Sequence, residues 1–83
     1  MKPIRLTQHA ETVMRERELS LEWIEAAAGS PGWTEPDPRD PSIERRFRII
    51  PERDGRVLRV ACVETAGEIR IVSAFFDRRA RPR

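Results

Sequence analysis

The chain has 83 residues, with 16 Lys or Arg, 14 Asp or Glu, one histidine and one cysteine, a length that allows one domain. The lone Cys62 excludes a disulfide scaffold or a zinc ribbon, no Walker-type phosphate loop is present, and no apolar run approaches the ~20 residues of a membrane span. Leu, Ile, Val and Phe supply 19 of the 83 residues, just above the roughly 20% below which disorder is expected, so a folded domain with a thin core is predicted.

In chain order, residues 4–6 read as a short strand or extended lead-in. Thr7 suits a helix N-cap, with Ala10, Val13, Met14 and Arg17 on one face of a helix ending near Glu18. Ser20 caps a second helix with Leu21, Ile24, Ala27 and Ala28 on one face, and Gly29-Ser30-Pro31-Gly32 stops it. Residues 30–42, SPGWTEPDPRDPS, hold four of the seven prolines and read as an ordered loop anchored by Trp33. Three strands follow, at 45–50, 57–64 and 68–76, joined by a turn through Asp54-Gly55 and a tight link at Ala66-Gly67. The expected fold is α+β: two short helices packed on a three- to four-stranded antiparallel sheet. Residues 1–77 form one domain, and 78–83 a basic C-terminal tail.

Charge is divided along the chain. Residues 1–44 carry 5 basic and 9 acidic side chains, and residues 45–83 carry 11 and 5, so the net +2 is −4 plus +6. Fifteen of the sixteen basic residues are Arg, whose planar fork of donors suits phosphate. Such asymmetry points to contact with nucleic acid or an acidic partner. Strand alternation sets Phe47 and Ile49 on one face of the first strand, with Arg46, Arg48 and Ile50 on the other. If the helices cover the Phe47 face, then Arg46, Arg48, Arg59 and Arg70 gather on the open face, as phosphate-binding residues or as a solvated polar surface.

Leu6-Thr7-Gln8-His9-Ala10, followed by Met14, Glu16-Arg17 and Leu19-Ser20, resembles a small bacterial domain family of unknown function that opens L-T-x-H-A and continues E-R-x-I/L-S. Glu44-Arg45-Arg46-Phe47, residues 55–60 and residues 69–74 are similar to BrnT toxins, and both groups look related to the RelE/ParE toxin superfamily. The resemblance implies a helix pair on an antiparallel sheet. It also implies a toxin of a toxin–antitoxin system, an endoribonuclease acting on mRNA, ribosome-bound or free, and neutralised by an antitoxin protein, while the lone Cys62 fits a reducing cytoplasm. The alternative is a non-catalytic RNA- or protein-binding domain using the same basic face.

Metal-independent RNA cleavage needs a base, an acid and cations on the phosphorane. His9 is the candidate for proton transfer, and the other reading of it is a residue that fixes the strand–helix junction. Arg46, Arg48, Arg59 and Arg70 on the sheet, with Arg78 and Arg79 in the tail, are the candidate RNA-binding residues. Cys62 reads as core packing. Phe75-Phe76 should split, with an exposed Phe76 beside Arg78 and Arg79 suited to nucleic acid or an antitoxin peptide. No metal or cofactor and no membrane contact are expected.

Overall fold

A computed structural model describes residues 2–82. Its elements are β1 (Ile4–Leu6), α1 (Gln8–Glu16), α2 (Leu21–Gly29), β2 (Trp33–Pro36), β3 (Glu44–Ile50), β4 (Arg56–Glu64) and β5 (Ile69–Phe76), with a 3-10 turn, Pro51–Arg53, between β3 and β4. The strands make one sheet in the order β1-β5-β4-β3-β2. Both helices pack on the same face, α1 over β5 and β1, α2 over β4 and β3. The architecture is α+β as expected, but the sheet is five-stranded and mixed. β1 joins parallel to β5, Ile4 opposite Ile69 and Leu6 opposite Ile71. The fifth strand comes from the proline segment, where Trp33–Pro36 pairs antiparallel with β3. Proline is compatible with this place because an edge strand leaves outward amide positions unbonded.

The helix ends follow from single side chains. Thr7 Oγ1 accepts from the Ala10 amide at 3.1 Å, and Ser20 Oγ from the Glu22 amide at 3.2 Å. Each satisfies one of the donors that a helix N-terminus leaves without an internal acceptor. Between the helices Glu18 turns the chain at a φ of 54°, and the Leu19 amide reaches back to Met14 O at 2.9 Å. At the β3–β4 connection Asp54 and Gly55 take φ of 58° and 72° in succession. The residue pair that tolerates this left-handed step is the one that signals the hairpin.

The core lies between the helices and one face of the sheet. Ile24, Leu58, Val60, Cys62 and Ile71 are fully buried, and Ala10, Ala27, Ala28 and Ala74 let the layers approach closely. Cys62 is part of this packing, and burial pushes its thiol up to about 11. Among the described residues no helix is long and apolar enough to cross a membrane.

Candidate functional site

The face assignment expected for β3 is inverted in the structure. Arg46 stands opposite Val60, which faces Ala74, and Arg48 stands opposite Leu58, which faces Phe76. Arg46 and Arg48 therefore lie on the helix-covered face, not the open one. β3 carries apolar side chains on both faces, so alternation alone cannot choose between them. Two interactions decide it. Ile50 enters the core at 2% exposure while Ile49 stays at 43%. The C-terminal carbonyls of α2 also need donors. Arg46 Nη1 donates to Ala28 O, and Arg48 Nη1 to Ser30 O, each at 2.6 Å. Arg46 is further bound by Glu44 Oε1 at 2.7 Å and Glu64 Oε1 at 2.6 Å. Its guanidinium ties α2 to β3 and β4 and is committed to the fold.

Phe47 points the other way and is buried there by Trp33, whose ring stacks on it at 5.1 Å with an interplanar angle of 3°. Arg59 and Arg70 do lie on this open face. They are separated, however: Arg59 pairs with Phe75 and Arg70 with Val63, four residues further along β4, or about 13 Å. Nor is the open face free of acids. Arg70 and Arg5 share Glu68 at 3.2 Å each. Arg45, overlooked by sequence reasoning, pairs with Asp37 at 3.3 Å. The Arg39 amide above all, with the Asp40 amide and Arg45, holds Asp37 below its ordinary pKa. Arg59 pairs with Asp77 at 3.1 Å. Burial first, and the nearby Arg45 second, lower the Arg59 pKa against the pull of Asp77. These acids sit in loops or just beyond strand ends, positions to which strand alternation does not extend.

Asp77 also directs the C-terminal segment. Its amide donates to Val57 O at 2.8 Å. Its Oδ1 accepts from the Arg79 and Ala80 amides at 2.9 and 3.2 Å, turning the chain back. Residues 78–82 thereby border a cleft of about 740 Å³ on the open face, floored by Arg45, Phe47, Arg59 and Phe75. Arg78 and Arg79 are exposed at its rim.

At the β3–β4 end of the sheet the arginines meet rings, Arg59 in addition to its pair with Asp77. Phe75 and Phe76, adjacent in β5, point to opposite faces. The Arg59 guanidinium carbon stands 4.2 Å from the Phe75 ring centre and that of Arg17 5.6 Å. Arg56 stands 4.4 Å and Arg53 5.2 Å from the Phe76 ring, which also meets Trp23 edge-on at 6.1 Å. Arg17, Arg53, Arg56, Phe75, Phe76 and Arg78 line a shallow groove of about 290 Å³. Among the described residues no ion pair engages Arg17, Arg53, Arg56 or Arg78, although Glu52 and Asp54 share the turn with Arg53. Cation–π contact holds Arg17, Arg53 and Arg56 beside a ring while leaving most of their five N–H donors open, and Arg78 lines the same groove. Sequence reasoning missed Arg53 and Arg56, whose signal was their position flanking the Asp54-Gly55 turn, which hairpin closure brings to the end of β5.

His9 is exposed in the first turn of α1. The junction it was expected to fix is held by Thr7, whose amide donates to Ile71 O at 3.0 Å. Eight residues of helical rise, about 12 Å, separate His9 from Arg17, and the open-face cleft lies across the sheet. His9 is thus not brought together with the arginines. Among the described residues no three His, Cys, Asp or Glu side chains gather as metal ligands would.

No match is found among curated proteins or among solved structures. Residues 6–76 match a family described as Domain of unknown function (DUF4258). That span takes in both helices and nearly all of the sheet, so the chain belongs to the DUF4258 family.

Proposed function

We propose that this chain is an RNA-binding domain whose contact surface is the C-terminal end of β5, with the groove and cleft that meet there. The observation that carries the reading is the set of arginines, Arg17, Arg53, Arg56 and Arg78, gathered around Phe75 and Phe76 without ion pairs among the described residues. Guanidinium forks bind phosphate bidentately, and arginine planes and aromatic rings stack on unpaired bases. Arg59, Arg78 and Arg79, singled out in the sequence, stay in the reading, Arg59 through its contact with Phe75. Arg46 and Arg48 leave it because α2 holds them, and Arg70 because it shares Glu68 at the other end of β5. A cytoplasmic location, expected from the sequence, is part of this proposal.

The BrnT- and RelE-like reading adds cleavage of mRNA and control by an antitoxin. Cleavage asks for a base and an acid within hydrogen-bond reach of the 2′-hydroxyl and the leaving oxygen. His9 stands apart from the arginine groove, so binding without cleavage is the function the geometry supports best.

The test has two parts. Titration of fluorescent single-stranded RNA should give saturable binding that weakens steeply with salt, and absence of such binding overturns the proposal. Induction of the protein alone, followed by growth and transcript integrity, separates the two readings. Unimpaired growth with intact transcripts fits a binder, whereas fragmented mRNA and arrested growth establish the toxin.

A further inference from the structure

Three grooves meet at the end of β5: the open-face cleft of about 740 Å³, a second of about 240 Å³ and the arginine groove of about 290 Å³. Phe76 and Arg78 line all three. The sheet separates the first from the last, since Phe75 shares the open face with Arg59 and Phe76 shares the helix-covered face with Leu58. Among the described residues the outer edge between them carries no strand, because β1 covers β5 only at Ile69, Arg70 and Ile71. At that edge Arg17 donates to Ala74 O at 3.4 Å and stands beside the Phe75 ring. Arginines thus line both faces, Arg79 and Arg59 on one and Arg56 and Arg53 on the other, with Arg17 at the edge between them.

We infer that the RNA ligand is single-stranded and passes around the β5 edge, with its phosphates on arginines of both faces and its bases against the Phe75 and Phe76 arginine pairs. This deepens the RNA-binding reading and rests on it. A single strand can make the turn because its bases unstack and its backbone rotates. A duplex is stiff over lengths far greater than this domain and can meet only one face. Bases enter by stacking, which every base offers, so recognition is by strandedness more than by sequence.

The experiment compares a dodecamer of uridines with a duplex of the same length, by fluorescence anisotropy over a range of salt. The wild-type protein should hold the single strand at least about tenfold more tightly than the duplex. Arg53→Glu/Arg56→Glu alters two residues of the arginine groove on the helix-covered side, and Arg79→Glu/Arg81→Glu two of the open-face cleft, with Arg56 and Arg81 also bordering the groove between them. Each pair should cost about tenfold in affinity for the dodecamer and reduce the slope of log affinity against log salt by about 1.4. Should the first pair fail to fold, Arg53→Gln/Arg56→Gln removes the same two charges without reversing them. Loss in the tail variant with wild-type affinity and slope in the Arg53/Arg56 variant confines the strand to the open face. That result overturns the wrapped path and leaves RNA binding standing, as does equal affinity for duplex. No saturable, salt-sensitive binding of the dodecamer by the wild type overturns both.

Discussion

Where β4 passes into β5, cations meet carboxylates. Lys2 and Arg46 converge on Glu64 at 2.6 Å each, Arg46 also holds Glu44, and Arg5 and Arg70 share Glu68. At the opposite end, where β3 turns into β4, Arg53 and Arg56 meet the Phe76 ring and Arg17 the Phe75 ring. The same side chain serves two purposes in one small sheet. Paired with acids and helix carbonyls it fastens elements together, and laid against rings it keeps its donors for a ligand. A count of arginines therefore says little about function until their partners are known.

The fastening role predicts the largest effect. Arg46→Ala removes the bonds to Ala28 O, Glu44 and Glu64 together. It should destabilise the fold by about 2 kcal/mol, within the ~1.5–3 kcal/mol range for hydrogen bonds to charged groups, as read from urea unfolding. A loss below a few tenths of a kcal/mol would show that this end is held by something else. Thr7→Ala, which removes the α1 cap beside β1, should cost about 1 kcal/mol in the same measurement. Arg56→Ala at the ligand end should cost less, about 0.5 kcal/mol, the worth of an exposed cation–π contact, while lowering RNA affinity. If Arg56→Ala instead unfolds the protein as readily as Arg46→Ala, the contrast between the two ends collapses.

The smallest effect is a pH dependence confined to the fastened end. Lys2, and then Arg46, hold the Glu64 carboxyl at about 2, below its ordinary 4.5. A depressed carboxylate stabilises the fold fully above the unfolded value and loses that contribution as pH falls from 4.5 through 2. Unfolding midpoints measured from pH 5 downward should therefore decline, and Glu64→Gln should flatten the decline. An unchanged slope in that variant would mean that Glu64 is solvated and unpaired.

The fold was legible in the sequence wherever a local signal had a local cause. Thr7 and Ser20 cap because a hydroxyl one step before a helix reaches an amide two or three residues on. Asp54-Gly55 turns because those two residues accept positive φ. β2 was hidden because prolines mask a strand whose pairing with β3 is a long-range event. The charge split between the halves finds part of its meaning only in that pairing, which sets Asp37 against Arg45 across the β2–β3 turn. The site was less legible still. Arg59, Arg78 and Arg79 were named from sequence, but Arg17 lies far from Arg53 and Arg56 in the chain and joins them only through the rings of Phe75 and Phe76.

Residue order thus settled the elements other than β2, their caps and turns, and the excess of arginine in the second half. Which face β3 turns to the helices, which arginines are neutralised, and how the C-terminal segment folds over the sheet were settled by packing. The physical reason is range. Capping and turn formation act over three or four residues, whereas an arginine's partner is whatever the assembled sheet brings within about 4 Å of its guanidinium.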